Sequence, residues 1–539
     1  MSTSDYSARR FGGPVPPWMR DADTARPIPV EVWITGALVV IAAAIRIVVI
    51  KDQSFWQDEA LTAYEAQLPL GAMVNTVVHV ETTPPLYFVL IWAWAHVFGN
   101  GEIALRSLSM LAGVALVPIS YLAARDLISP RAGVIAAAFV TFNPFLIWYS
   151  QEARAYMLFA ALCGASFLWF IRARRDPSAR NLAWWAAWSS LALMTHFFAG
   201  FLVAPEALWL LWVAGSRHAG AGLRVAGVAV GVVALVQLAM APFALVDTGH
   251  GAGWIAHTPR TIRLSQAISE WGVSIMYRRA TIHEGLYGGA ILLALVVALV
   301  AFGGDHRTRR GVAVAGLIAG CAWVAPLVLG LLGHDYFLSR NVMPAVVPVA
   351  VVLGAACAAP RARALGAALA MALIALFVYA TIQVQTKPYL QRPDWRAVAH
   401  ALGPATVPRA ILAANGQTAI PLKIYLPHVS WVQPQSQRVR IGEIDVVGDI
   451  KRLPLRPIRI VADRRQPVWY TPVASPVPRS VNVSGARLVD RFRVDNWIVA
   501  RYVLYKQKGL SVKQLLALAP RYFRRTPEAM LVFFQPPDR

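Results

Sequence analysis

Residues 30–61 read VEVWITGALVVIAAAIRIVVIKDQSFWQDEAL. The first part, Val30–Ile50, is an apolar run of about 20 residues, the length a helix needs to cross the hydrocarbon core of a bilayer. Ahead of it lies a polar, Pro-rich N-terminus with Arg9, Arg10, Arg20 and Arg26, and no small-residue cleavage site follows it. It therefore reads as an uncleaved anchor, with residues 1–30 as a cytoplasmic tail and the chain beyond Lys51 emerging on the outer side. That emerging stretch carries two adjacent acids, Asp58 and Glu59, a few residues past the span.

The whole chain fits this start. It has 539 residues, 57% hydrophobic and 15% charged, with a mean hydropathy of +0.50, whereas a soluble domain carries about 25% charged residues. A soluble globule is excluded, because the polar side chains are too few to cover a water-facing surface. The net charge, 51 − 28 = +23, points to anionic partners. Membrane phosphate suits the hydrophobicity, and no nucleic-acid partner is expected. Cys163, Cys321 and Cys357 are odd in number and lie in apolar runs, so they give neither a disulfide framework nor a metal site.

Ten further apolar stretches follow, near 107–124, 132–149, 155–171, 181–197, 199–215, 223–246, 285–302, 311–332, 341–358 and 364–384. The arginines support the count of about eleven spans, because they gather in alternate loops: Arg125 with Arg131, Arg172 to Arg180, Arg217 with Arg224, Arg307 to Arg310, and Arg361 with Arg363. The apolar run Pro85–Phe98 is short for a span, and counting it would move those arginines to the wrong side. It is expected to be an interfacial or re-entrant helix inside a first outer loop, 51–106.

The expected fold is thus a mainly α-helical polytopic protein of the inner (plasma) membrane, its transmembrane domain spanning 31–384. A C-terminal soluble domain of α/β or mixed type follows at 385–539, extracytoplasmic by parity. Its 25 Lys/Arg against 9 Asp/Glu do not oppose that placement, since long domains translocate regardless of charge. Within it, Arg456–Ala462 and Arg491–Tyr505 alternate like strands, and Asp394–Leu402 has a helical pattern.

The chemistry-bearing groups collect at the outer ends of the spans. Ser54 and Gln57 have capping-box spacing, which starts a helix carrying Asp58 and Glu59 in its first turns. Such acids are favoured there by the helix dipole alone. Desolvation beside Phe55 and Trp56 also suits one of them to general-base duty. Adjacent helical residues diverge by about 100°, so one acid would act while the other orients or binds. His79 and Glu81 precede the paired prolines Pro84 and Pro85, either lining a site or standing as a solvated pair. Tyr149, Glu152 and Arg154 fall in a segment squeezed between two spans, where Arg154 either snorkels to head groups or clamps a phosphate. His196 and Arg340 sit at two more outer span ends. Glu206, deep in a span, is either an ion or proton site or a neutral acid bridging helices. No P-loop, dinucleotide fingerprint, HExxH or GxSxG occurs.

Asp58-Glu59, Thr83–Tyr87, Gly99–Arg106, Tyr149–Tyr156, Thr195–Phe197 and Arg340–Pro344, in that order, resemble the motifs of GT-C membrane glycosyltransferases of the protein O-mannosyltransferase and lipid A aminoarabinose transferase type. The resemblance implies an inverting enzyme that moves a sugar from a polyprenyl-phosphate donor to a lipid, glycan or protein acceptor on the outer leaflet. It makes Asp58 the candidate base, with Glu59 its neighbour, and Arg154 and Arg340 candidate phosphate partners. His196, His79, Glu81, Tyr149 and Glu152 are the further candidates for donor or substrate binding. No cofactor is demanded, and no ligand spacing requires a metal, although a divalent ion at Asp58, Glu59 or His79 is compatible with these residues. Two other classes compete: a transporter or flippase for a lipid-linked or anionic solute, and a non-catalytic envelope assembly subunit.

Overall fold

The computed structural model describes residues 28–81, 83–217, 221–247, 255, 258–273, 282–387, 390–414, 419–426, 428–431, 437–449, 483–494, 497–518 and 530–537. The anchor is helix α1, Val30–Val49, and the first loop folds into three short helices: α2 Gln57–Glu65, α3 Leu70–Val80 and α4 Leu86–Phe98. The bundle continues with α5 Glu102–Leu127, α6 Pro130–Phe142, α7 Pro144–Ser150, α8 Tyr156–Arg175, α9 Ala179–Thr195, α10 Gly200–Arg217 and α11 Ala221–Asp247. It closes with α12 Arg260–Val273, α13 Ile282–Ala298, α14 His306–Leu331, α15 Val346–Cys357 and α16 Arg363–Thr386.

Among the described residues, eight helices are long and apolar enough to cross a membrane, and nine if the bent pair α6 and α7 is one span. The other two of the eleven apolar stretches form α9, of 17 residues, and the short helix α15. Helix α4 does not cross. Its Phe98 shares a groove with Lys51 and Glu102, while Phe88 at its other end lies under Arg154, so both ends stay at one face of the bundle. Trp92 and Trp94 tie it down by donating to the Leu68 and Ala104 carbonyls.

The arginine-rich loops meet at the opposite face. Arg125 and Arg172 both pair with Asp126, at 2.7 and 2.9 Å, and Arg361 donates to the Gly304 carbonyl. The loops carrying Arg125 and Arg172 thus meet each other, as do those carrying Arg307 and Arg361.

The bend between α6 and α7 is 56°. Pro144 has no N–H, so the Val140 carbonyl loses its helical donor inside the apolar bundle. The fully buried Arg46 of α1 replaces it. Its guanidinium donates to the Val140 and Thr141 carbonyls, both at 3.3 Å, and its Nε to Ser150 Oγ at 3.0 Å. This packing requires glycine at 113, because a Cβ there would collide with Ser150 Oγ and press on Arg46.

Beyond α16 comes a mixed α/β domain: α17 Trp395–Leu402, β1 Arg409–Ala414, α18 Leu422–Tyr425, β2 Ser430–Trp431, β3 Arg438–Asp449, β4 Ala486–Val494, β5 Trp497–Ser511, α19 Val512–Leu516 and β6 Met530–Gln535. The strands form one sheet in the order β2-β6-β1-β3-β5-β4, with β1 and β3 parallel. Asp394 caps α17 by accepting from Ala397 N–H. The alternating run Arg491–Tyr505 falls on two strands, the end of β4 and the start of β5, joined as an antiparallel pair. The expected strand at Arg456–Ala462 lies outside the described residues.

The capping-box expectation at Ser54 is corrected. The residue before α2 is Trp56, whose N–H is accepted by Glu59 Oε2 at 3.4 Å. Ser54 instead turns to the C-terminal domain, accepting from Trp395 N–H and donating to the Pro393 carbonyl. The same spacing of residues serves domain docking here rather than helix initiation.

Arg46→Leu leaves two buried carbonyls without a donor, each costing about 1–3 kcal/mol. Its thermal unfolding midpoint in detergent is expected to fall clearly below that of the wild type, and an unchanged midpoint would refute the bracing role.

Candidate functional site

The site is assembled where α2 meets the 151–155 turn. Glu59, fully buried, receives Arg106 through two bonds, Nε to Oε1 at 2.7 Å and Nη2 to Oε2 at 2.8 Å. It also accepts from the Ala153 backbone N–H at 2.9 Å and pairs with Arg392 at 3.5 Å. Burial opposes ionisation of Glu59, but Arg106 outweighs it and holds the carboxyl below its ordinary value. Arg106 also donates to the carbonyls of Ile50, Gln53 and Ser54, fixing the path from the anchor into α2.

Asp58, one residue earlier, points elsewhere and is only partly enclosed by surface. Burial raises its carboxyl above the ordinary value, while Arg154 and then Arg340 pull it down. Arg154 is itself held in a bidentate pair with Glu81, at 2.9 and 2.6 Å, with Thr62 Oγ1 accepting from the same guanidinium at 3.2 Å. The planar fork thus lies flat between α2 and the start of α4, above the Phe88 ring.

Arg340 reaches the same field from a segment distant in sequence, its guanidinium 5.5 Å from the Tyr156 ring centroid. Its segment is clamped: Asp335 pairs with Arg263, buried in α12, at 2.5 Å, and Trp271 Nε1 donates to the Ser339 carbonyl at 3.1 Å. His196 is buried, its ring stacked on Phe159 at 4.5 Å, and Nδ1 accepts from Phe198 N–H. Burial, with Arg340 and Arg154 adding to it, lowers its pKa to about 3, so it is a neutral wall.

Glu152 is buried, with Oε2 2.6 Å from Arg392 and no hydrogen-bond partner for Oε1 among the described residues. Burial drives its carboxyl up to about 7 against the pull of Arg392, with the Glu59 and Asp58 charges adding to the rise. The Tyr149 hydroxyl nearby is likewise buried, without a hydrogen-bond partner among the described residues.

Of the residues singled out in the sequence, Asp58, Glu59, Glu81, Tyr149, Glu152, Arg154, His196 and Arg340 thus gather around one region. His79 does not join them: it is exposed, and its Nδ1 contacts the Asn75 carbonyl on its own helix. Among the described residues no group of three His, Cys, Asp or Glu side chains is placed to hold a metal ion. Glu206 bridges helices, accepting from Ser166 Oγ and Trp185 Nε1.

Sequence reasoning missed Arg392 and Glu65, and gave Arg106 no role of its own. Arg106 closes the Gly99–Arg106 motif, which was a usable signal. Arg392 follows the last span in a stretch with no motif, so only the folded chain reveals it. Glu65 is buried beside Glu81, and no donor reaches either of its oxygens among the described residues.

The chain is similar to several known proteins. Residues 82–243 match the family model of the dolichyl-phosphate-mannose-protein mannosyltransferases. No curated protein matches the chain by sequence. Apo ArnT from Cupriavidus metallidurans shares the fold, with a TM-score of 0.51 at 14% identity, over 88% of this chain and 98% of that one. The same ArnT bound to undecaprenyl phosphate gives 0.49 at 14% identity over the same shares. The donor-bound Pmt1-Pmt2 protein O-mannosyltransferase complex of S. cerevisiae gives 0.35 at 16% identity, over 46% of this chain and 37% of that one. The chain thus has an ArnT-like fold, mainly helical with a C-terminal mixed sheet domain, the fold class that the resemblance of its motifs implied.

Burial, then the Glu81 charge, pushes the Glu65 carboxyl up to about 9 from an ordinary 4.5. A raised acid stabilises the fold fully below about 4.5, and that contribution is lost as pH climbs to about 9. Glu65→Gln stays neutral throughout. Its unfolding midpoint should match the wild type near pH 5 and exceed it near pH 9, and parallel pH curves would contradict a neutral Glu65.

Proposed function

We propose that the protein is an inverting glycosyltransferase that moves a sugar from a polyprenyl-phosphate carrier to an envelope acceptor on the extracytoplasmic face of the membrane. The observation that carries this reading is the placement of one partly exposed carboxylate, Asp58, in the joint field of two guanidinium groups from distant parts of the chain, Arg154 and Arg340. The fold shared with ArnT supports the same reaction class.

In this reading Asp58 takes the proton of the acceptor hydroxyl, whose oxygen bonds to the anomeric carbon as the carbon–oxygen bond to phosphate breaks. The electron pair leaves on the lipid phosphate. A phosphate is a good leaving group once its growing charge is met, so guanidinium replaces the carboxylic acid that glycoside hydrolysis uses. Arg340 is the direct phosphate partner. Arg154, whose fork is occupied by Glu81 and Thr62, contributes mainly its field. Attack from the Asp58 side and departure toward Arg340 invert the anomeric centre. Glu152 and Tyr149, each with a buried oxygen that has no hydrogen-bond partner among the described residues, line the sugar and offer it bonds, and His196 forms an uncharged wall. Glu59 is a positioning residue that holds α2 in register.

Two outcomes test this. Release of free lipid phosphate from a panel of polyprenyl-phosphate sugars should fall about 10²–10⁴-fold in Asp58→Asn, the usual worth of a general base, with the protein still folded. Wild-type turnover in that variant would remove the base. Arg340→Ala loses a charge-assisted contact of about 1.5–3 kcal/mol, so the apparent KM for the carrier should rise about tenfold or more, and an unchanged donor dependence would count against phosphate binding there.

A further inference from the structure

The C-terminal domain is seated on the first loop by a dense set of contacts. Ser54 bonds to the backbone at Pro393 and Trp395. The Tyr425 hydroxyl accepts from Phe55 N–H at 2.7 Å and donates to Glu102, and Arg396 pairs with Glu102 at 2.5 Å. Gln53 Oε1 accepts from the Arg392 backbone N–H at 2.9 Å.

The segment fixed by these contacts carries Arg392 inward until it is buried in the site. Its guanidinium lies 4.4 Å from the Trp148 ring centroid and 5.8 Å from that of Trp56. From there it donates to the Gln151 carbonyl at 2.9 Å and to Glu152 Oε2 at 2.6 Å, and it reaches Glu59 Oε2 at 3.5 Å. One side chain from beyond the last span thus touches the acid of α2 and the acid of the 151–155 turn together. A lysine has neither the fork nor the flat face for this combination.

Resting on the transferase reading above, we propose that Arg392 is a positioning residue: it holds the Glu152 carboxylate in place near Asp58, so that the membrane site is complete only when the C-terminal domain is seated on the first loop.

The electrostatics agree. Glu152 faces Arg392 and, more weakly, Arg340 as attractive charges, with Glu59 and Asp58 as repulsive ones. Tyr149, Tyr156 and Tyr87 are the remaining titratable groups coupled to it. Removing Arg392 leaves two acids repelling Glu152 against one distant cation. A buried charge stripped of its partner is strongly destabilising.

The test uses the full chain in detergent and has one arm that needs no turnover. Unfolding midpoints are measured from pH 6 to pH 9 for the wild type, Arg392→Ala, Arg392→Lys and Arg392→Ala with Glu152→Gln. In the wild type the cost of ionising Glu152 is complete by about pH 7. In Arg392→Ala it continues above that value, so the deficit should widen with pH. Glu152→Gln should abolish the widening, and Arg392→Lys should recover part of the midpoint. A deficit that is constant in pH, or that Glu152→Gln leaves untouched, overturns the proposal. Loosening the seat from a distance with Tyr425→Phe and Arg396→Ala should reproduce the high-pH deficit in weaker form, and a wild-type curve there would sever domain from site.

In the second arm, lipid phosphate release by Arg392→Ala should drop about tenfold or more in kcat with little change in carrier KM, and a wild-type kcat overturns the positioning role. If the wild type releases no lipid phosphate from any carrier while the midpoints behave as expected, the transferase reading fails and the Arg392–Glu152 coupling stands.

Discussion

Glu59 accepts from Arg106, from Arg392 and from the backbone N–H groups of Ala153 and Trp56. These donors come from the second span, the segment after the last span, the turn between two central helices, and the start of α2 itself. An ionised carboxylate at zero exposure is tolerable only because every one of them is in place, and breaking a buried pair of this kind costs about 3–5 kcal/mol. The geometry of α2, and with it the direction in which Asp58 points, follows from satisfying this one anion. Two neighbouring acids in the sequence have thereby been given opposite fates, one sealed and paired, the other left facing a field of cations.

The same economy shapes the rest of the region. Three arginines, Arg106, Arg154 and Arg392, are each matched to an acid at 2.6–2.7 Å, so the protein supplies rigid guanidinium planes without accumulating unopposed charge. Arg340 is anchored differently, by the Arg263–Asp335 pair and the Trp271 indole behind its backbone. His196, kept neutral by burial and the nearby arginines, adds shape without adding charge.

Much of this was legible in the sequence, because bilayer physics is periodic and coarse. The eleven apolar stretches, the sorting of arginines to alternate loops and the non-spanning α4 all follow from length and charge. The pair Asp58-Glu59 with Arg154 and Arg340 was also readable as a set. What the sequence hid depends on pairing at long range. Arg392 sits 333 residues from Glu59, in a stretch whose composition is ordinary. Ser54 has capping spacing, yet its hydroxyl serves the Trp395 backbone. His79 resembles the other candidates by type and position, but α3 turns it to solvent. The facing of α2 is likewise decided by groups that are not local to it, Arg106, Arg392 and the 151–155 turn.

The seating of Arg392 also orders events in time. A ribosome releases the spans before it releases the segment that follows them, so every newly made bundle passes through a stage in which Glu59 and Glu152 lack one of their countercharges. A chain cut short after α16 stays at that stage. The segment that follows the spans acts as a keystone, supplying from beyond the bundle a charge that two acids inside it share.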